Sequence, residues 1–495
     1  MERGDHEAHP GDPSATLTSP PQHMTPEQFR EHGRAVIDWI ADYWERVETL
    51  PVASTVQPGD IRALLPDTAP EHPEPFENLL ADLDRVIVPG VTHWQHPGWF
   101  AYFPANSSPP SVLADTVSAG LGLIGLLWSA SPAVTEVESH VLDWLVELMG
   151  LPQHWKTTAS GGGVLQGSAS DATHVALVAA RHRAAQRSGR HAAHTVAYTS
   201  AQAHSSVYKG AGVAGFGHVR SIETDERHAM RPDMLRDAVA ADASAGLVPA
   251  FVGSTIGTTG TTAVDPVRAI AAVAGQYSLW HHVDAAYAGT AMICPEFREH
   301  LDGVELVDSY VFNPHKWMMV NFDCSAFYVS ERSALTEALS IDPPYLRNAH
   351  SDAGNVIDYR NWQVPLGRRF RALKLWWVLR SYGAQGIRQL VRHHVAMAQE
   401  LAERLRDDPR FEIVAPHPFS LVCFRCRAAD ATDEAARAAD RATDAVAAAV
   451  NGSGTAYLTP SQLDGRSIIR VAVGQSRTDR EHLDQLWKTI SEAAA

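Results

Sequence analysis

Lys and Arg together number 41 in this chain of 495 residues, yet lysine occurs only at Lys156, Lys209, Lys316, Lys374 and Lys488. Lys316 sits in the apolar and aromatic run SYVFNPHKWMMVNFDCSAFYV, residues 309–329. Arginine serves equally well for solubility or an ion pair, but only an amine can lose its proton and become a nucleophile. Apolar surroundings favour that neutral form. The other use of such a residue is a packed stem whose ammonium reaches water. Three further stretches carry complementary groups. SGGGVLQGSASDATHVALVAARHRAA reads as a glycine-rich loop opening into a long helix, with Ser168, Ala169 and Ser170 where the helix begins. Backbone N–H groups and the positive end of the dipole there suit one phosphate. The run matches neither G-x-x-x-x-G-K-[ST] nor G-x-G-x-x-G, which disfavours nucleoside triphosphatases and Rossmann dehydrogenases. In HVDAAYAG, Asp284 closes an apolar strand, a costly place for a carboxylate without a partner such as a protonated pyridine nitrogen. In SAQAHSSVYKG, His204 follows the strand HTVAYTS, placed to lie over an aromatic ring.

A phosphate cup, a partner for a ring nitrogen, a stacking ring and an imine-forming lysine together describe a site for pyridoxal 5'-phosphate. The protein's part with this cofactor is to orient it and tune its electronics. Asp284 keeps the ring protonated as an electron sink, while Lys316, with Asn313 and His315 just before it, holds the aldehyde.

The elements that position these groups follow from pattern. Between about residues 111 and 380, helical stretches alternate with the short apolar strands HTVAYTS, PAFVGST, LWHHVDAAY, DSYVFN and SAFYVS. That alternation predicts a largely parallel, doubly covered sheet with its ligand at the carboxyl ends of the strands. The chain then runs from LKLWWVLRSYGAQGIRQLVRHHVAMAQELAERLR through FEIVA, SLVCFRC and an alanine-rich helix to GTAYLTPSQLDGRSIIRVAVG, which predicts a smaller α+β domain. Near the start, Thr25 is the expected N-cap, Pro26 the first helical residue and Gln28 the partner in a capping box. Phe29, Val36, Ile37, Ile40, Tyr43, Trp44 and Val47 form an apolar stripe along that helix.

Composition narrows the function. With 45% hydrophobic and 20% charged residues the chain reads as an ordinary soluble globular protein. A formal charge of −16 argues against nucleic acid and anionic membranes as partners. No apolar run approaches the ~20 residues that cross a bilayer. Residues 1–23 are polar and proline-rich and are expected to be a disordered tail without a signal peptide. Cys294, Cys324, Cys423 and Cys426 form no disulfide framework, which points to the cytoplasm. Cys423 and Cys426, three apart on a strand, face opposite sides, so no redox or zinc role and no metal site is expected.

The segments PGVTHWQHPGWFAYFPANSS, GGGVLQGSASDATHVAL, QAHSSVYKGAG, HHVDAAYAGTAMICPEFR, FNPHKWMMVNFDCSAFYV and WQVPLGRRFRALKLWW resemble the aromatic-L-amino-acid decarboxylases. These are group II pyridoxal-phosphate decarboxylases of the aspartate-aminotransferase-like fold type I. The resemblance runs from about Met24 nearly to the C-terminus. It implies an α/β fold with a large, mostly parallel seven-stranded sheet domain (residues 109–373), an N-terminal helical dimerisation segment (24–108) and a small C-terminal α+β domain (374–495). It implies the Schiff-base lysine at Lys316, ring stacking by His204, Asp284 at the pyridine nitrogen, and cofactor contacts from Ser168, Ala169, Ser170, Thr259, Asn313 and His315. It also implies a homodimer with its active site at the subunit interface.

Tyr345, in the loop SIDPPYLRNAHSDAG, corresponds to the family's tyrosine that closes over the site and protonates Cα. Aldehyde synthases have lost that tyrosine or the histidine; both are present here, so simple decarboxylation is expected. The resemblance lines the substrate pocket with Trp94, Tyr102, Phe103 and Pro104, with Ile124 and Leu126 from the second subunit. No arginine stands ready for a side-chain carboxylate, and Gly367 leaves room for a large ring. Ala105 replaces a threonine that meets ring hydroxyls in animal enzymes, and Leu126 replaces a phenylalanine-like residue. An apolar site discriminates hydroxyls weakly, which favours tryptophan or phenylalanine, with tyrosine and dopa also admitted. An aromatic aldehyde synthase and a non-catalytic dimeric relative are the alternatives.

Overall fold

The computed structural model describes residues 23–341, 343–346 and 349–494, with the side chains of Tyr345 and Asp352 left out. The expected tail therefore lies outside the described residues except for His23. The described residues form two compact units, 23–49 with 54–91, and 50–53 with 92–494.

In the first unit a helix spans Pro26–Arg46. The Thr25 side chain accepts the Gln28 N–H and the Gln28 side chain accepts the Thr25 N–H, the reciprocal cap expected from the sequence. Trp39 Nε1 donates to Asp84 Oδ2 at 2.9 Å, and Arg46 pairs with the same carboxylate, holding it below the usual carboxylate range. None of the helix's residues is buried, and Phe29 is among its exposed apolar side chains.

The second unit contains a seven-stranded sheet: β1 (Gly162–Gln166), β2 (Thr195–Ser200), β3 (His218–Ile222), β4 (Val248–Thr255), β5 (Trp280–Asp284), β6 (Ser309–Phe312) and β7 (Ser325–Val329). Their order is β1-β7-β6-β5-β4-β2-β3; neighbours from β6 to β3 are parallel, and β7 is antiparallel to both β1 and β6. Every residue of β2, β4, β5, β6 and β7 is buried, which is why these strands read as short apolar runs. Two strands escaped the reading. Gly162–Gln166 is strand and not loop, so the loop before the Ala169–Ser188 helix is only Gly167 and Ser168. HVRSI, the edge strand β3, is mostly half-exposed and polar, so it lacks the buried-strand signature.

A second sheet, in the order β10-β11-β9-β8, is antiparallel throughout: β8 (Phe411–Ile413), β9 (Leu421–Cys426), β10 (Thr459–Leu463) and β11 (Arg466–Ala472). Helices Asp433–Gly452 and Arg480–Ala493 pack with it, as does the long element Arg371–Asp407, kinked at Gly383 where φ is 62°. Cys423 belongs to the core cluster shared with the large sheet and Cys426 to the cluster under these helices, so the two thiols face different interiors. Among the described residues no helix is long and apolar enough to cross a membrane.

Candidate active site

A cavity of about 210 Å³ lies at the carboxyl ends of the central strands, lined by residues from several of these elements. Ser168, Ala169 and Ser170 contribute the start of the Ala169–Ser188 helix. Ser168 Oγ accepts the Asp171 N–H at 3.1 Å, capping one early donor and leaving the first-turn amides to face the cavity. From β5 comes Asp284, whose Oδ1 accepts the Ala286 N–H at 2.9 Å.

Opposite them is the short helix Pro314–Trp317. Lys316 is half-buried, with Nζ 5.4 Å from the Phe103 ring centroid. Burial holds its ammonium below the ordinary lysine value; Arg470 pushes the same way and Asp284 opposes. Its carbonyl is fixed by Asn106, whose Nδ2 donates to Lys316 O at 2.8 Å and to Gly474 O at 2.7 Å, while Oδ1 accepts the Ser476 N–H at 2.8 Å. Asn313 is oriented by Ser325, whose Oγ donates to its Oδ1 at 2.6 Å, which turns the Asn313 amide nitrogen elsewhere. His315 Nδ1 accepts the Cys324 N–H at 2.9 Å, so in the neutral ring the proton resides on Nε2. Burial, assisted by the neighbouring Lys316, lowers His315 to about 4 and keeps it neutral.

His204 and Thr259 also border the cavity; both are exposed in this chain, and His204 Nδ1 accepts the Ser206 N–H at 3.2 Å. Thr259 rides on a loop closed at its base by buried Asp265, whose carboxylate accepts the Thr255 N–H and, from a separate segment, the Met230 N–H, each at 2.7 Å. Burial raises Asp265 to about 6.

Four cavity residues were not singled out from sequence: Thr255, Gly257, Ala286 and Tyr287. Tyr287 stacks on Phe103 at 3.8 Å between centroids and on Trp317 at 4.6 Å, a wall of rings beside the lysine. Its signal was an aromatic residue three positions after Asp284. At Gly257, where φ is +82°, a Cβ would meet Ala288 Cβ at 2.6 Å, so the backbone passes where a side chain has no room. Arg470 is buried, and its Cζ lies 5.3 Å from the Phe103 centroid; an arginine inside the apolar strand SIIRVAV was the clue.

The remaining expected substrate residues do not line this cavity. Trp94 and Tyr102 stack on each other at 5.6 Å, Pro104 lies against Gly474, and the Ala105 carbonyl accepts from Gln95 Nε2 at 2.7 Å. Ile124 and Gly367 are exposed neighbours: a Cβ at Gly367 would lie 3.8 Å from Ile124 Cγ2. The Leu126 carbonyl accepts the Arg360 N–H at 3.2 Å beside them. Tyr345 belongs to a short turn, Pro344–Leu346, and its side chain lies outside the described residues.

A buried carboxyl group, an amine whose charge burial disfavours and the first turn of a helix around one small cavity fit pyridoxal phosphate: they are groups that could pair with a pyridine nitrogen, react with a carbonyl and bind an anion.

Among known proteins, the pyridoxal-dependent decarboxylase conserved domain matches residues 58–427. The phenylacetaldehyde synthase of Arabidopsis thaliana is 46% identical over 477 residues, 95% of this chain and 97% of that protein. The aromatic-L-amino-acid decarboxylase of Rattus norvegicus is 44% identical over 483 residues, 95% and 98% of the two chains. A crystal structure of Oryza sativa TDC with PLP and tryptamine superposes with a TM-score of 0.93 at 42% identity, covering 96% of this chain and 99% of that one.

Proposed function

From the premise that the chain belongs to the pyridoxal-dependent decarboxylases, in the group of aromatic amino acid decarboxylases and aldehyde synthases with pyridoxal phosphate as cofactor, we propose that it removes the α-carboxylate of aromatic L-amino acids and releases arylalkylamines. The observation that carries this reading is the convergence of Lys316, Asp284 and the Ala169–Ser188 helix start on one cavity, in a chain that retains both His204 and Tyr345.

When bound, the cofactor supplies an electron sink for the pair left on Cα as carbon dioxide departs. The chain's residues do the rest. The first-turn amides at Ala169 and Ser170 bind the phosphate, with Thr259 and Asn313 as further cofactor contacts. His315 offers its Nε2–H as a donor that burial keeps uncharged. The Asp284 carboxylate would pair with the pyridine N–H, and the His204 ring would stack on the cofactor ring. Lys316 Nζ, whose charged form burial disfavours, takes up and returns a proton as substrate enters and product leaves. The rings of Phe103, Tyr287 and Trp317 keep water from that amine. Tyr345 delivers a proton to Cα from the loop.

Trp94, Tyr102, Phe103 and Pro104 form the apolar side of the substrate pocket, completed across a homodimer by Ile124 and Leu126. Residues 24–108 serve as the dimerising segment, 109–373 as the cofactor domain and 374–495 as the small domain. Ala105, which offers no hydroxyl to a ring substituent, favours tryptophan or phenylalanine over hydroxylated rings, while Gly367 leaves room for an indole or catechol ring. The second reading, an aldehyde synthase that consumes oxygen and releases hydrogen peroxide, draws its support from the phenylacetaldehyde synthase relative. Incubating the purified holoenzyme with tryptophan, phenylalanine, tyrosine and dopa separates them: amine without peroxide supports decarboxylation, and aldehyde with peroxide overturns it.

A further inference from the structure

β1 is an edge strand, paired only with β7, yet it leads directly into the phosphate cup. Edge strands leave alternate N–H and C=O groups without a ladder partner. At Leu165 both groups are taken by side chains. The N–H donates to Glu138 Oε1 at 2.7 Å, and the C=O accepts from Arg368 Nη2 at 2.8 Å. Arg368 Nη2 also donates to Glu138 Oε1 at 2.6 Å, so one ion pair stands where a neighbouring strand's peptide would stand. The two side chains are 0% and 1% exposed, Glu138 and Arg368 respectively.

This arrangement is expensive. Glu138 Oε2 and Arg368 Nη1 are buried with no hydrogen-bond partner among the described residues. A buried pair with orphaned atoms is a poor source of stability, and one documented reason to keep such a pair is that it fixes a geometry. Its connections show which geometry. Arg368 Nε donates to Gln363 Oε1 at 3.1 Å, and its guanidinium lies 4.7 Å over the Tyr359 ring. Tyr359 Oη is bonded at 2.9 Å to Ser139 Oγ, next to Glu138. The Arg368 carbonyl accepts the Gly125 N–H at 3.0 Å, beside Ile124, and Gly367 immediately precedes Arg368. One pair thus grips the strand three residues before Ser168 and the two loops that carry Ile124 and Gly367.

We propose that Glu138 and Arg368 are positioning residues that hold the phosphate cup at Ser168–Ser170 in register with the Ile124 and Gly367 loops. The proposal rests on the reading of those residues as cofactor and substrate contacts. Neutralising the carboxylate leaves Arg368 without its counter-charge and lets the end of β1 drift from the helix start. Cofactor retention and ring preference then change together, although neither side chain lines the cavity.

The test is release of pyridoxal phosphate from the holoenzyme into cofactor-free buffer, followed by absorbance, for wild type and Glu138→Gln. Val450→Ala, in the core of the small domain, serves as a control for general destabilisation. Release is expected to quicken by about tenfold or more in Glu138→Gln, with an altered kcat/KM ratio of tryptophan to phenylalanine and neither change in the control. Where Glu138→Gln does not fold, the doubly neutral Glu138→Gln/Arg368→Gln variant takes its place under the same criteria. Unchanged release in the folded variant, or equal quickening in the control, overturns the proposal. A wild-type protein that retains no pyridoxal phosphate instead overturns the reading of the site itself, and this proposal with it.

Discussion

Lys316 and Arg470 share one aromatic neighbour: Nζ of the first lies 5.4 Å, and Cζ of the second 5.3 Å, from the centroid of the Phe103 ring. Arg470 is held by carbonyls, donating to Gly260 O at 3.1 Å and to Tyr102 O at 3.5 Å, and no carboxylate neutralises it among the described residues. A second cation so near favours the uncharged state of the amine, adding to the larger effect of burial. Lys316→Ala is therefore expected to abolish the visible absorbance of lysine-linked cofactor and to lower turnover by at least about a thousandfold. Spectra and single-turnover assays check this; near-wild-type turnover would remove the lysine from its assigned role.

Asp284→Asn keeps the shape of the acceptor at the end of β5 but removes its charge. Turnover is expected to fall by roughly a hundredfold or more, while bound pyridoxal phosphate, measured after denaturation, stays near stoichiometric. A variant as active as wild type would mean that the carboxylate does not hold the ring nitrogen.

Tyr345→Phe removes the phenolic hydroxyl and nothing else from the loop. The expected outcome is diversion of product from amine to aldehyde, with hydrogen peroxide formed in step. Coupled peroxide detection alongside chromatography of the amine checks it, and unchanged amine yield would exclude the phenol as proton donor.

Ala105→Thr introduces a hydroxyl into the segment that carries Tyr102, Phe103 and Pro104. Relative kcat/KM is expected to move toward tyrosine and dopa by roughly threefold to tenfold, the scale of one hydrogen bond in an otherwise apolar pocket. A flat profile across the four amino acids would displace the pocket from this segment.

Acid should destabilise the fold before the carboxylates titrate. Burial lowers His281, His282 and His394 to about 3 and His315 to about 4, against ~6.5 in an unfolded chain. Between those values the unfolded state binds protons that the folded state does not, so stability is complete above pH ~6.5 and declines as pH falls toward 4, by up to about 1.4 kcal/mol per pH unit for each histidine. Asp265, raised to about 6, acts in the opposite direction below that pH but is one group against four. Guanidinium unfolding midpoints from pH 7.5 down to 5 are expected to fall; a level series would contradict the buried neutral histidines.

The strands buried on both faces were legible because apolar content was all they needed, and Asp284 and Lys316 stood out as chemically costly residues within such runs. β1 was hidden by its glycines, yet those glycines mark crowding and not slackness: a Cβ at Gly162 would meet the Trp362 ring at 2.7 Å, and one at Gly163 the Tyr328 ring at 2.8 Å. Which side that crowding comes from is decided by residues far along the chain. Arg470, Tyr287 and Asn106 went unread for the same reason, since each matters only through partners that tertiary packing supplies. Residues taken from family resemblance are placed differently: the expected cofactor contacts gather around one cavity, whereas Ile124, Leu126 and Gly367 lie near one another away from it.

Asn106 gives the far end of the polypeptide a hold on the reactive amine. A protease that cut after residue 473 would spare every side chain facing the cavity, since the last of these is Lys316. It would nonetheless strip Asn106 of Gly474 and Ser476, two of its three partners, leaving the amide to grip the lysine's carbonyl alone. Because the same cut also removes the Arg480–Ala493 helix from the core of the second sheet, trimming there is expected to register in the cofactor's spectrum as well as in bulk folding.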